Sequence, residues 1–174
     1  MIPESEMMDK YKLSLSVQYP DDRLKDTLPR WRLRRWVKSA LQMDAAITLR
    51  FVDTEEGLAL NSAYRGKDYA TNVLTFPYEE PVDFMPNACN AVPSNNGTGT
   101  TAYADIVLCT DVLIREAEEQ HKTLIEHAAH LVIHGTLHAQ GYDHIDDDEA
   151  ETMEALETEI LTKLGFEDPY KVID

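Results

Sequence analysis

Basic residues are scarce in this chain: 16 Lys and Arg stand against 32 Asp and Glu among 174 residues, a formal net charge of -16. Affinity for phosphate backbones comes mostly from Lys and Arg, so this balance argues against a general nucleic-acid binder. Cysteine is scarcer still. Cys89 and Cys109 are too few for a disulfide framework, and nothing suggests an oxidising compartment. No apolar run approaches the roughly 20 residues that cross a bilayer. Residues 1–12, MIPESEMMDKYK, carry acids where a signal peptide would have a basic segment and then an apolar one. An untargeted cytoplasmic protein with no membrane partner is expected.

What is present is an ordinary globular composition, 43% hydrophobic and 28% charged. A chain of about 150 residues buries roughly 70% of the surface its unfolded form exposes, enough for a real core. No internal repeat or domain boundary is visible, so residues 1–174 are read as one domain. The charge is polarised. DRLKDTLPRWRLRRWVK (22–38) holds seven of the 16 basic residues, whereas DHIDDDEAETMEALETE (143–159) is strongly acidic. A polarised molecule can bind an anion on one face despite its total.

Alternation of apolar and polar residues predicts strands at 12–18 and 47–52. A short apolar strand at 72–78 is expected to close at Pro77, and a fourth strand to run over 104–109. A basic amphipathic helix is predicted from Leu28 to Met43, with Thr27 and Pro29 as start signals. Its Arg34, Arg35 and Lys38 form either a solvated face or the wall of an RNA groove. Asp53 or Thr54 is placed to cap a helix through LALNSAYR. Residues 79–100 are rich in Pro, Asn and Gly and predict a long loop. Helices follow at 110–120, 123–139 and 147–164. The second of these is apolar nearly all round, which predicts a buried central helix ended by Gly141. The last is expected to turn Met153, Leu156, Ile160 and Leu164 inward. Strands and helices mix without strict βαβ repetition. The fold class is therefore α+β: a small, mostly four-stranded sheet packed with helices around the buried central one.

That central helix carries the chemistry. In HGTLHAQGYDH (134–144), His134 and His138 lie four apart and so stand nearly one above the other on a helix. Gly141 permits a sharp turn that returns His144 to the same point. Three imidazoles so arranged make an open zinc site with water or substrate at the fourth position. Nickel, copper or cobalt would also suit three histidines. His127 and His130 share the helical face but are read as core or supporting residues, not ligands. Asp143 is a candidate to orient one imidazole. The spacing is that of zinc peptidases of the metzincin type, except that Gly135 stands where their catalytic glutamate would be. A positioned base contributes about 10²–10⁴-fold, so Gly135 counts against proteolysis. It is neutral toward RNA cleavage, where the substrate's 2'-hydroxyl or a metal-bound hydroxide can attack phosphorus.

HGTLHAQGYDH, NSAYRGKDYATNVLTFPYE, ADIVLCTDV and HIDDDEAETMEALETEIL before GFEDPY resemble, in order and spacing, the YbeY family of bacterial rRNA maturation factors. The resemblance runs from about Phe51 to Tyr170. It implies a zinc-dependent endoribonuclease whose metal ligands fall on His134, His138 and His144. It also implies a functionally important arginine at Arg65, which suits a phosphate by its permanent, planar, bidentate charge. The implied substrate is single-stranded RNA, in particular the 3' region of 16S rRNA in the small ribosomal subunit, with a role in ribosome quality control and no DNA substrate. The chain departs from the family at Asn72, usually Asp, and in the longer 79–100 loop. Two other readings stand beside this one: a non-catalytic ribosome assembly factor with a structural zinc, and a generic metallohydrolase.

Overall fold

The computed structural model describes residues 10–67, 69–78, 101–142 and 146–168. Among these, four strands form one sheet, with five helices around it. The order along the chain is β1 (Leu13–Gln18), α1 (Arg30–Ser39), β2 (Asp44–Val52), α2 (Thr54–Arg65), β3 (Val73–Tyr78), β4 (Thr101–Cys109), α3 (Thr110–Glu119), α4 (Leu124–Ala139) and α5 (Asp147–Lys163). The fold is α+β, as the sequence pattern predicts. The loop expected over 79–100 lies outside the described residues.

Alternation builds the sheet. Ala45, Ile47, Leu49 and Phe51 of β2 are buried on one face, and Ala102, Ala104, Ile106 and Leu108 of β4 continue that face. The strand order is β1-β2-β4-β3. β1 pairs parallel with β2 and β2 parallel with β4, while β3 runs antiparallel to β4. Helix α1 is the crossover between the parallel β1 and β2. It ends at Ser39 instead of running to Met43, because β2 starts early: Asp44 already pairs with Thr101, and Ala45 with Leu13. Pro77 does not close β3 but sits inside it, opposite Ala104. An edge strand tolerates proline because one side of its backbone carries no ladder.

Local signals set the helix ends. Asp53 accepts a hydrogen bond from the Glu56 backbone N–H at 2.8 Å, satisfying one orphan donor of α2. Asp53→Ala is expected to lower stability by about 1 kcal/mol, read as a shifted urea midpoint at unchanged slope. An unshifted midpoint would mean the cap contributes nothing. At its other end α2 stops at Gly66, whose φ of 68° is left-handed.

Helix α4 begins at the capping side chain of Thr123, which accepts from the Glu126 N–H at 3.0 Å. It packs against β3 and β4 on one side and against α1, α3 and α5 on the others. Leu131, Val132, Ile133 and Leu137 are buried there, each worth about 1.5–3 kcal/mol for removal from water. At Gly141, φ is 103°, and the chain turns away from the helix at a cost only glycine avoids.

Candidate functional site

One helical turn separates His134 from His138, and their Nε2 atoms approach to 3.0 Å. The opposite nitrogen of each ring is engaged. Nδ1 of His138 donates to the Tyr142 carbonyl at 2.9 Å, in the turn that Gly141 makes possible. Nδ1 of His134 donates to the carboxylate of Glu157 on α5. A carbonyl and a carboxylate have only lone pairs to offer, so each Nδ1 must carry the proton. With both rings neutral, each presents an Nε2 lone pair to the other; with one ring charged, its Nε2–H donates across the 3.0 Å gap.

Two lone pairs at that separation repel unless something positive lies between them. A shared ion with Zn–N bonds of 2.0–2.1 Å and tetrahedral angles would set the nitrogens about 3.3 Å apart. The observed 3.0 Å lies close to that separation, so the two histidines fit the ligand role. Among the described residues, no group of three or more His, Cys, Asp or Glu side chains forms a metal-ligand set. The third expected ligand, His144, lies outside the described residues, as does Asp143.

Arg65 comes to the same place from another element. As the last residue of α2 it lines a cleft of about 540 Å³, together with Asn72, Thr75, His134, His138 and Tyr142. The side chain is exposed. Among the described residues it has no hydrogen-bond or carboxylate partner, in a chain with twice as many acids as bases. A guanidinium that lines the same cleft as a pair of imidazoles suits an anionic substrate.

Asn72 now has a visible role. Its amide Nδ2 donates to Oε1 of Glu116 at 3.0 Å, and its Oδ1 accepts from the Val73 N–H at 2.6 Å. The same Glu116 oxygen accepts from Nε2 of the buried His127 at 2.9 Å. An aspartate at 72 would bring a second carboxylate against Glu116, whereas asparagine supplies a donor. Burial pushes the His127 imidazole below its usual pKa, with Glu116 pulling the other way. His127 thus bears on Glu116, while His130 Nε2 lies 3.5 Å from the second oxygen of Glu157.

Glu157 escaped the sequence reading, which noted only that it falls in the strongly acidic segment 143–159. It is fully buried, on the same face of α5 as Met153, Ile160 and Leu161. A carboxylate at helical spacing among inward-facing apolar residues was the available signal. The basic helix α1, by contrast, gives no residue to the cleft. Arg30, Arg32 and Arg34 donate to the carbonyls of Leu15, Thr27 and Leu13 at 2.8, 3.1 and 3.5 Å. They tether α1 to its surroundings, and Trp31, Arg32, Arg35 and Trp36 line a separate pocket.

A family model described as "Endoribonuclease YbeY" matches residues 15–165. A protein named Endoribonuclease YbeY from Janthinobacterium sp. (strain Marseille) is 61% identical over 164 residues, covering 94% of this chain and 98% of its own length. Its namesake from Herminiimonas arsenicoxydans is 63% identical over 163 residues, with the same coverages. A solution structure from Thermotoga maritima is 24% identical, at a TM-score of 0.48, covering 91% of this chain and 99% of that one. With the family match spanning nearly every described element and the two namesakes alike almost end to end, the chain belongs to the YbeY family.

Proposed function

We propose that this protein is a metal-dependent endoribonuclease that prefers single-stranded RNA and acts in rRNA maturation, at the 3' end of 16S rRNA, and in ribosome quality control. The observation that carries the reading is the cleft that Arg65, His134 and His138 line together. His134, His138 and His144 would hold one zinc ion, with water or a substrate oxygen completing its shell. Bound there, zinc would polarise a phosphoryl oxygen and bring bound water toward neutral pKa.

The chain's own residues have separable tasks. Arg65 binds the scissile phosphate through two of its oxygens and stabilises charge as it develops there. Glu157 and the Tyr142 carbonyl keep both imidazoles in the tautomer that offers Nε2. Asn72, bonded to Glu116, holds the start of β3 against the cleft. A structural zinc would take four protein ligands, whereas this reading leaves one position for water or a substrate oxygen. The negative overall charge suits a protein that acts on a presented strand instead of binding RNA indiscriminately. Among the described residues no helix is long and apolar enough to cross a membrane, and we place the protein in the cytoplasm, on the small ribosomal subunit.

Arg65→Ala tests the reading. Because Arg65 is exposed and bonded to nothing described, stability should move by less than about 0.5 kcal/mol. Cleavage of a labelled single-stranded 16S 3'-end fragment should fall about 10²–10³-fold. Arg65→Lys should recover part of that loss, since a point charge keeps attraction but not the fork geometry. Parental cleavage rates in Arg65→Ala would remove Arg65 from the mechanism.

A further inference from the structure

We infer that Glu157 is the positioning residue of the metal site: a buried anion behind His134 that fixes the ring and gives the cation its counter-charge. The inference rests on the metal-site reading above and extends it to a residue on a different helix, 23 positions further along the chain.

Three observations converge. Glu157 is completely buried although it belongs to α5, which has a strongly acidic, exposed outer face. An ionised carboxylate withdrawn from water costs several kcal/mol unless positive charge compensates it. Both of its oxygens point at imidazoles: Oε1 takes the Nδ1 proton of His134, and Oε2 lies 3.5 Å from Nε2 of His130. Compensation by a doubly charged ion on the far side of the His134 ring explains why an acid is kept in a place otherwise given to Met153, Ile160 and Leu161.

The consequence is electrostatic as well as geometric. Three neutral imidazoles alone would leave the full dipositive charge on the ion. A carboxylate hydrogen-bonded to one ligand offsets part of that charge and makes the imidazole a better electron donor. His130, against the other oxygen, keeps the carboxylate from rotating away. The acidic helix is thereby a component of the metal centre and not only a solubilising surface.

The test uses full-length protein, zinc and cobalt(II). Glu157→Gln keeps the side chain's shape and an acceptor oxygen but removes the charge. With far-UV circular dichroism confirming the fold, zinc affinity by chelator competition should fall about 10–100-fold. The visible bands of the cobalt-substituted site should shift. Equal affinity with superimposable cobalt spectra would overturn the inference. Should Glu157→Gln not fold, the zinc-loaded parent decides by imidazole NMR. A His134 Nδ1 proton protected from exchange supports the inference; an Nδ1 proton exchanging as an exposed one does overturns it. A parent that takes up no zinc would bring down the metal-site reading itself, and this inference with it. A parent that binds zinc no better than Glu157→Gln would bring down this inference alone.

Discussion

His138→Ala, and separately chelation of the metal from the parent, are each expected to lower kcat/KM on single-stranded RNA by about 10²–10⁴-fold. A bound Lewis acid contributes several kcal/mol to stabilising charge on phosphorus, and each 1.36 kcal/mol is about tenfold. His138 is a clean place to remove it. Its side chain is only partly buried, and the turn beyond α4 survives on the bond from the Tyr142 N–H to the Leu137 carbonyl at 3.1 Å. Zinc added back after chelation should restore the parent but not the variant, and elemental analysis should find the variant short of metal. Cleavage by His138→Ala at the parental rate would show that the activity comes from elsewhere.

The second large effect concerns stability, at the residue where a zinc peptidase would carry its base. Gly135→Glu is expected to cost more than about 4 kcal/mol, a large share of the roughly 5–15 kcal/mol that holds a domain folded. A Cβ at 135 would stand 3.0 Å from Ile106 Cγ2, 3.2 Å from Thr75 Oγ1 and 3.3 Å from Ile106 Cδ1. The position faces the sheet, where α4 lies close on β3 and β4. Overpacking there costs about 1–3 kcal/mol, and a carboxylate without a partner adds several more. Gly135→Ala is the graded control: overpacking is offset by about 1 kcal/mol of helix propensity, leaving a small loss. Urea denaturation measures both. A Gly135→Glu protein as stable as its parent would show that the helix can lift from the sheet at little cost. The absent glutamate therefore has a packing reason. A side chain at 135 would start against Ile106 and Thr75, so a glutamate there would have to displace them.

Most of the secondary structure was readable beforehand because its causes are local. Alternation in β2 and β4, the caps at Asp53 and Thr123, and the left-handed glycines each act within a few residues. The convergence of His134 with His138 is of the same kind, since four residues make about one turn. The errors lay where neighbours decide. Pro77 belongs inside β3 only because β3 is an edge strand, and α1 is cut short only because β4 claims Asp44 as a partner.

Periodicity and torsional preference thus specified the helices, the strands and a pair of aligned imidazoles, all of which depend on distances of a turn or less. Strand direction, the placing of Arg65 and His134 in one cleft, and the burial of Glu157 against that same ring depend on which faces pack together. Such choices minimise exposed apolar area over the whole chain. No short window of residues contains that sum, so folding alone could turn an acid of the solvated tail into a partner of the cleft.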